Sequence, residues 1–378
     1  MRKETFDRIF LKSPRIRLVA NLLLSASSRL RETFQKYPAL IVGGIGAISL
    51  LPFAVSAHEV YVLPLDMVRV AMENPSPDPF SAIAGNEFQF FFWAFIGFVT
   101  VATIAAATFF RLFEKSLSPS LMRLKKYALP VARITAGLTT ISFGYAGALY
   151  GTEIPFDSLF GGATTFMQAF FVVAGISLTL GTFTRPFALA LLLVYAYAGT
   201  VNGWYIFTYT DHLGLYILLI LLGSGGFSFS RALHLNEVNA PRFIEQLRPF
   251  AFPILRMLFG FGVMFASIYA KYIYSALALQ VVITYNLTKY FHFDPLFVVL
   301  GALIIEFLAG ALLFFGIAIR WTLIFLAFWL TLSLIYFQEL IWPHGILFGL
   351  AVALFLHGYD RFSLEGHFMR RRNSEPVL

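Results

Sequence analysis

The 378-residue chain has no cysteine and little charge. Without cysteine there are no disulfides, no thiol redox chemistry, no iron–sulfur cluster and no covalently attached haem. Any redox role must therefore use another kind of carrier. Charged residues make up 13% of the chain, against about a quarter in a water-soluble domain. The sequence also lacks a Gly-rich phosphate loop, a His-Glu-x-x-His pair and a nucleophile elbow. Those absences remove the usual signatures of nucleotide, zinc-protease and serine-hydrolase chemistry.

What is present is apolar: 58% hydrophobic residues, 17% aromatic, with 44 phenylalanines. They come in blocks of about 20, the length that crosses roughly 30 Å of hydrocarbon. The predicted fold class is all-α, a polytopic membrane protein of about ten transmembrane helices. A net charge of +8 raises nucleic acid as a partner. The basic residues lie between and beyond the spans, however, so the lipid bilayer accounts for them and no nucleic acid is needed.

Residues 1–38 read as a basic cytoplasmic segment, and residues 39–128 as two membrane helices joined by an acidic outer loop. The first apolar run, 39–57, ends in Val55-Ser56-Ala57, a small-residue pattern that a signal peptidase can read. The long basic stretch before it favours a retained signal anchor. A short amphipathic helix is predicted in the loop at LPLDMVRVAM, and a second span at 88–110. The basic stretch RLFEKSLSPSLMRLKK follows as a cytoplasmic loop.

Eight further spans are predicted at 129–149, 161–182, 186–203, 212–229, 252–272, 295–318, 321–339 and 343–360. Counted alternately from a cytoplasmic N-terminus, Arg185, Arg231, Arg242, Arg248, Arg320, Arg361 and Arg370 fall inside. Glu153, Asp157, Asp211, Asp294 and Glu339 fall outside, with Lys289 the basic exception. Both termini are then cytoplasmic in a bacterial inner membrane. Residues between 272 and 293 are too few and too polar to span, and are expected to lie over the outer end as an amphipathic or re-entrant segment. The basic tail, 365–378, matches contact with anionic lipid.

The chain repeats itself. Pro130-Val-Ala-Arg133-Ile-Thr-Ala-Gly137 matches Pro253-Ile-Leu-Arg256-Met-Leu-Phe-Gly260. Gly175, Gly181 and Arg185 match Gly310, Gly316 and Arg320, and His212 and Gly226 match His344 and Gly358. Each copy holds four spans, 129–250 and 251–364, so the copies share one orientation and predict two four-helix bundles in tandem. The glycines are expected to let helices approach closely.

This ordered set, an arginine, then Glu306, Gly310, Gly316 and Arg320, then His344, Gly358, Asp360 and Ser363, resembles the DoxX family. Residues 253–364 carry it best, and 130–233 resemble a degenerate copy. The resemblance implies kinship with the membrane subunit of a thiosulfate:quinone oxidoreductase and with membrane redox complexes. The tandem copies and the 128-residue N-terminal extension depart from the family.

Glu306 is the leading candidate for chemistry. It falls about 16 Å along its span, where a carboxylate costs several kcal/mol and so marks a site or a wet cavity. Its expected role is proton acceptor or partner to a quinone. His357, at a similar counted depth, and Lys271, about 10 Å higher, complete the predicted catalytic set. His344, Arg256 and Asp360 are the predicted quinone- or substrate-binding residues. The first copy has Phe171, Ala148 and Ser228 at the positions of Glu306, Lys271 and Asp360, so it reads as scaffold. His212 and His344 read as polar caps at headgroup level. His344 and His357 lie about 220° apart around one helix, a poor arrangement for a haem. No metal site is predicted.

The expectation is a quinone-linked membrane redox component with a periplasmic or membrane redox partner. The alternatives are a small-solute permease using Glu306 as coupling group, and a scaffold subunit without chemistry.

Overall fold

The computed structural model describes residues 63, 65–83, 86–232, 241–289, 294–337, 339 and 341–367. The predicted span at 39–57 and most of the basic tail lie outside the described residues. The described residues are helical, with no strand among them.

Eleven helices carry the argument. α1 is Leu65–Glu73, α2 Asn86–Leu124, α3 Ala128–Ala146 and α4 Thr164–Leu180. α5 is Thr184–Asn202, α6 Thr210–Leu222 and α7 Ala251–Ile268. α8 is Ser275–Thr284, α9 Pro295–Phe315, α10 Ile319–Phe337 and α11 Ile341–His357. Five helical stretches are long and apolar enough to cross a membrane: Phe156–Leu180, Thr184–Leu222, Arg242–Ile273, Pro295–Phe315 and Ile319–Phe337. Shorter apolar helices cover Phe92–Ala105, Ser275–Thr284 and Ile341–His357. The surface is correspondingly apolar, with Phe90, Phe98, Tyr145, Phe166, Leu193, Phe328 and Ile335 all exposed. Water would not tolerate so many, whereas lipid does.

α9 shows how such a helix is bounded without water. The Asp294 carboxylate accepts from Leu296 N at 2.7 Å, and Pro295 takes the first turn, where no N–H is needed. Twenty-one residues later Gly316 turns left-handed (φ 71°). Ile317 N then donates to Leu312 O at 2.8 Å, which satisfies a carbonyl that hydrocarbon could not. α4 ends the same way at Gly181 (φ 74°), with Thr182 N donating to Ser177 O at 2.9 Å. The residues that open the next helices, Phe183 and Ala318, both have φ 48°.

The repeated glycines therefore divide into two roles. Gly181 and Gly316 stop helices. Gly137 meets Gly175 between α3 and α4, and Gly260 meets Gly310 between α7 and α9. A Cβ on Gly137 would lie 2.6 Å from Gly175 O, and one on Gly260 2.7 Å from Gly310 O. These two pairs allow backbone-to-backbone contact.

Packing does not follow the sequence order of the two copies. α3 packs extensively on α11 as well as on α4, and α7 on α6 as well as on α9. The first helix of each copy thus lies against the last helix of the other. One continuous hydrophobic core runs through α3–α7 and α9–α11.

Two predicted boundaries shift. α2 does not stop at 110 but continues to Leu124, because Leu, Glu, Lys, Met and Arg in the basic stretch are good helix formers. The segment after 272 is α8, whose Leu277 and Val281 bury against Val68 and Ala71 of α1 while Ala278 and Val282 pack near Val299 of α9. Ser275 Oγ donates to Pro77 O, pinning the loop after α1 onto the start of α8.

The α7–α9 contact leaves no room for a side chain. Gly310→Val should lower unfolding stability in detergent by about 1–3 kcal/mol, whereas Gly97→Ala, where a Cβ meets nothing within 4 Å, should be neutral. Thermal unfolding of both variants checks this, and equal melting temperatures would contradict the close approach.

Candidate functional site

Helix directions give the bundle two ends. Arg133, Arg185, Arg256 and Arg320 mark one, the arginine end, while His212, His344 and Lys271 mark the other, the histidine end.

Glu306 lies on α9, eleven residues past its start. Lys271 follows α7 in a short π-helical turn, Tyr269–Ile273. A widened turn of this kind re-aims side chains and recurs at functional sites. Here the Lys271 stem runs inward, so that Nζ lies 2.9 Å from Glu306 Oε2. From α10, Trp329 Nε1 donates to Glu306 Oε1 at 3.1 Å. Both carboxylate oxygens are therefore engaged, one by an ammonium and one by an indole. The Lys271 side chain is 11% exposed and that of Glu306 21%, so the pair sits in a wall of the bundle and is open on one side. Phe325 stacks beside Trp329, with ring centroids 6.1 Å apart and an interplanar angle of 23°.

Of the three residues predicted to work together, the structure joins Glu306 and Lys271 and separates His357. Glu306 lies ten residues, about 15 Å, before the Gly316 that ends α9, but His357 is the last residue of α11. Its ring stacks on Phe252 at the arginine end (3.9 Å, 18°). Equal counted depths misled because the two helices end at the same level and not the same count from their starts.

Arg256 and Asp360 are together, also at the arginine end. Arg256 Nε donates to Asp360 Oδ2 at 2.9 Å, and Nη1 donates to Leu313 O at 2.7 Å and Phe314 O at 2.5 Å. The guanidinium closes the carbonyl end of α9, where the helix dipole is negative. Arg185 Nε donates to Ile220 O at 3.1 Å, and Arg320 Nε to Phe355 O, also at 3.1 Å. His344 is buried, 3.3 Å from Glu339 Oε2, and Ser333 Oγ donates to Glu339 Oε1 at 2.7 Å. It faces a buried carboxylate from the first turn of α11.

The first copy carries a polar cluster that the sequence reading missed. His212 Nδ1 lies 3.1 Å from Asp211 Oδ1, and both residues are buried. Around the imidazole stand Tyr150 (4.4 Å between ring centroids), Phe143 (5.6 Å), Tyr209 (6.1 Å) and Tyr216 (6.4 Å). Tyr205 OH donates to Glu153 Oε1 at 3.2 Å and lies 3.5 Å from Tyr209 OH. His212 is thus walled in by rings in the first turn of α6. One signal was there to be seen: five tyrosines fall between residues 195 and 216, around Asp211-His212.

Glu153 belongs to the loop between α3 and the short helix Phe156–Phe160, outside the spans. The residue is half-buried, but its Oε2 is enclosed. Burial pushes its carboxyl up to about 8, against a smaller opposing pull from its own backbone N–H and from Tyr205.

The fold and these sites define an all-helical membrane protein whose bundle buries polar pairs, Arg256 with Asp360 at the arginine end and Lys271 with Glu306, His344 with Glu339 and His212 with Asp211 elsewhere. No family model, curated protein or solved structure matches the chain.

Two predictions follow from the geometry. Removing one partner of a buried pair strands the other. Full burial would cost about 3–5 kcal/mol, and partial exposure of Glu306 brings the expected loss for Lys271→Met to about 2 kcal/mol. Replacing both residues with methionine should recover most of it. A double-mutant cycle on detergent unfolding checks the coupling, and additive effects would contradict the pair. Glu153, in turn, holds its proton more tightly when folded than when unfolded. Stability should therefore fall as pH rises from the ordinary carboxylate range to about 8 and then level off. In Glu153→Gln that segment of the stability curve should be flatter than in the parent.

Proposed function

We propose that the protein is a DoxX-like integral membrane protein that serves as a quinone-linked redox component. Ten spans, with both termini cytoplasmic in a bacterial inner membrane, complete the reading. The observation that supports it best is the Lys271–Glu306 pair, 2.9 Å apart and open on one side within an apolar bundle. A charged pair is expensive there, and hydrophobic residues of similar volume would be no less stable.

The residues present suit a quinone. Its ring needs a flat apolar surface, which Phe325 and Trp329 offer. Its carbonyl oxygens need a donor, which Lys271 supplies. The reduced form needs an acceptor for its hydroxyl proton, which Glu306 supplies. A quinone held there would supply two-electron carrier chemistry for exchange with a periplasmic or membrane redox partner. Trp329 orients the Glu306 carboxylate. Arg256 and Asp360 take no part in the proton steps and hold the end of α9.

The matched hydrogen bonds of Arg185 and Arg320, the matched glycine contacts and the matched φ of Phe183 and Ala318 support descent from a duplicated unit. The second unit is then the active one for this chemistry.

Extraction of the protein in mild detergent with quinone analysis tests the reading. We expect about one quinone per protein at most, and at least a tenfold loss of retention and of quinol-linked turnover in Glu306→Gln. If the wild type retains no quinone, and Glu306→Gln changes only stability, the protein is a scaffold. Proton-coupled solute uptake into vesicles, abolished by the same substitution, would make it a permease.

A further inference from the structure

The first unit has no counterpart of Glu306, yet it buries more polar atoms than its packing satisfies. Among the described residues, His212 Nε2, Tyr150 OH, Tyr216 OH and Glu153 Oε2 are enclosed without a hydrogen-bond partner of good geometry. Such atoms rarely go unpaired in a folded protein. Three of the four belong to one nest. The Tyr150 and Tyr216 rings both flank the His212 imidazole. His212, Tyr150 and Tyr216 are each at most 2% exposed.

We propose that Tyr150, His212 and Tyr216 enclose a bound water molecule, that this water also bonds the Tyr209 hydroxyl, and that Tyr209 and Tyr205 continue the path to Glu153 as a proton relay. A buried water typically makes about three hydrogen bonds to otherwise unsatisfied groups, and this nest offers two hydroxyls and a ring nitrogen. Asp211 fixes the imidazole from the other side: with Nδ1–H donated to Oδ1 at 3.1 Å, Nε2 carries a lone pair toward the rings. Tyr209 stacks on Tyr150 at 5.2 Å, its hydroxyl lies 3.5 Å from that of Tyr205, and Tyr205 reaches Glu153 at 3.2 Å.

The transfer balances without any electron change. Glu153 gives up its proton and becomes a carboxylate. Each hydroxyl and the water accept one proton and release one, and His212 Nε2 takes the last. The imidazolium then faces Asp211, so the pair is neutral overall. The groups that face this path are Asp211, Glu153 and the phenols of Tyr150, Tyr195, Tyr205, Tyr209 and Tyr216. The inference does not depend on the quinone reading, and its test uses no redox activity.

Radiolytic hydroxyl-radical labelling in 18O water, read by mass spectrometry on the wild-type protein, detects internal water beside a buried side chain. Tyr150 and Tyr216 should be labelled at least ten times faster than Phe259, which is equally buried. Labelling of His212 should fall in Tyr150→Phe. With 15N-histidine, exchange of the His212 ring protons should slow at least tenfold in Glu153→Gln. Labelling of both tyrosines at the level of Phe259 would show a dry nest and overturn the proposal. So would ring-proton exchange that ignores the loss of the Glu153 carboxyl.

Discussion

A charge inside this bundle cannot borrow water, and that constraint organises the whole structure. In a medium of low dielectric an unanswered charge is costly enough to change protonation or unfold the chain, so each one is met by a neighbour. Backbone carbonyls and side chains both meet the demand. At the arginine end, guanidinium groups bond to backbone carbonyls where helices stop: Arg185 to Ile220 O, Arg256 to Leu313 O and Arg320 to Phe355 O. Each cation there offsets both an orphan carbonyl and the negative pole of a helix. Side-chain partners occur at both ends: Arg256 with Asp360 at the arginine end, and Lys271 with Glu306, His344 with Glu339 and His212 with Asp211 toward the other. Backbone partners are fixed and suit a structural role. A pair such as Lys271 and Glu306 can also exchange a proton.

The two halves of the bundle, 128–222 and 251–357, are packed through each other. α3 needs α11, and α7 needs α6, so neither four-helix unit encloses its own core. What differs is the filling of one position. In the first copy Phe171 is fully buried, with Phe156 and Phe143 against it at 5.0 and 6.3 Å. The chain after α3 supplies this plug through the short helix Phe156–Phe160. In the second copy the chain after α7 widens into a π-turn and then forms α8. The aromatic plug gives way to Lys271, Glu306 and Trp329. One scaffold thus yields a packed aromatic centre in one copy and an ion pair in the other.

Several helix starts were legible from the apolar runs: α3, α5 and α9 begin within two residues of their predicted starts, while five stretches are long and apolar enough to cross a membrane. Glu306 was legible for the same reason, as the lone acid of an apolar run. The arginines and glycines were visible as a pattern but not as roles, since spacing alone does not tell a helix stop (Gly316) from a helix contact (Gly310). Counting residues failed where it assumed straight helices crossing one slab. The π-turn and the long lysine stem bring Lys271 to Glu306 across a counted gap of about 10 Å, and the level at which α11 ends removes His357. The His212 nest was illegible for another reason. Tyrosine is common at membrane interfaces, so five of them near Asp211 carried no distinctive meaning until Tyr150, from another loop, closed over the imidazole.

The two polar sites share an end of the bundle and also share a wall. Tyr205, which holds Glu153, packs against Tyr269 at 5.1 Å, and Tyr269 packs on Tyr274 at 4.8 Å. Tyr269 opens the π-turn that carries Lys271. Any movement of that turn large enough to draw Lys271 from Glu306 therefore displaces a ring that Tyr205 rests on. Packed aromatic rings transmit such shifts because they have little free volume to absorb them. The contact forms where the turn Gly203–Tyr209, which leads into α6, packs on the end of α7. Interleaving thus does more than complete a core: it places the proton-bearing groups of one copy against the backbone turn on which the ion pair of the other depends.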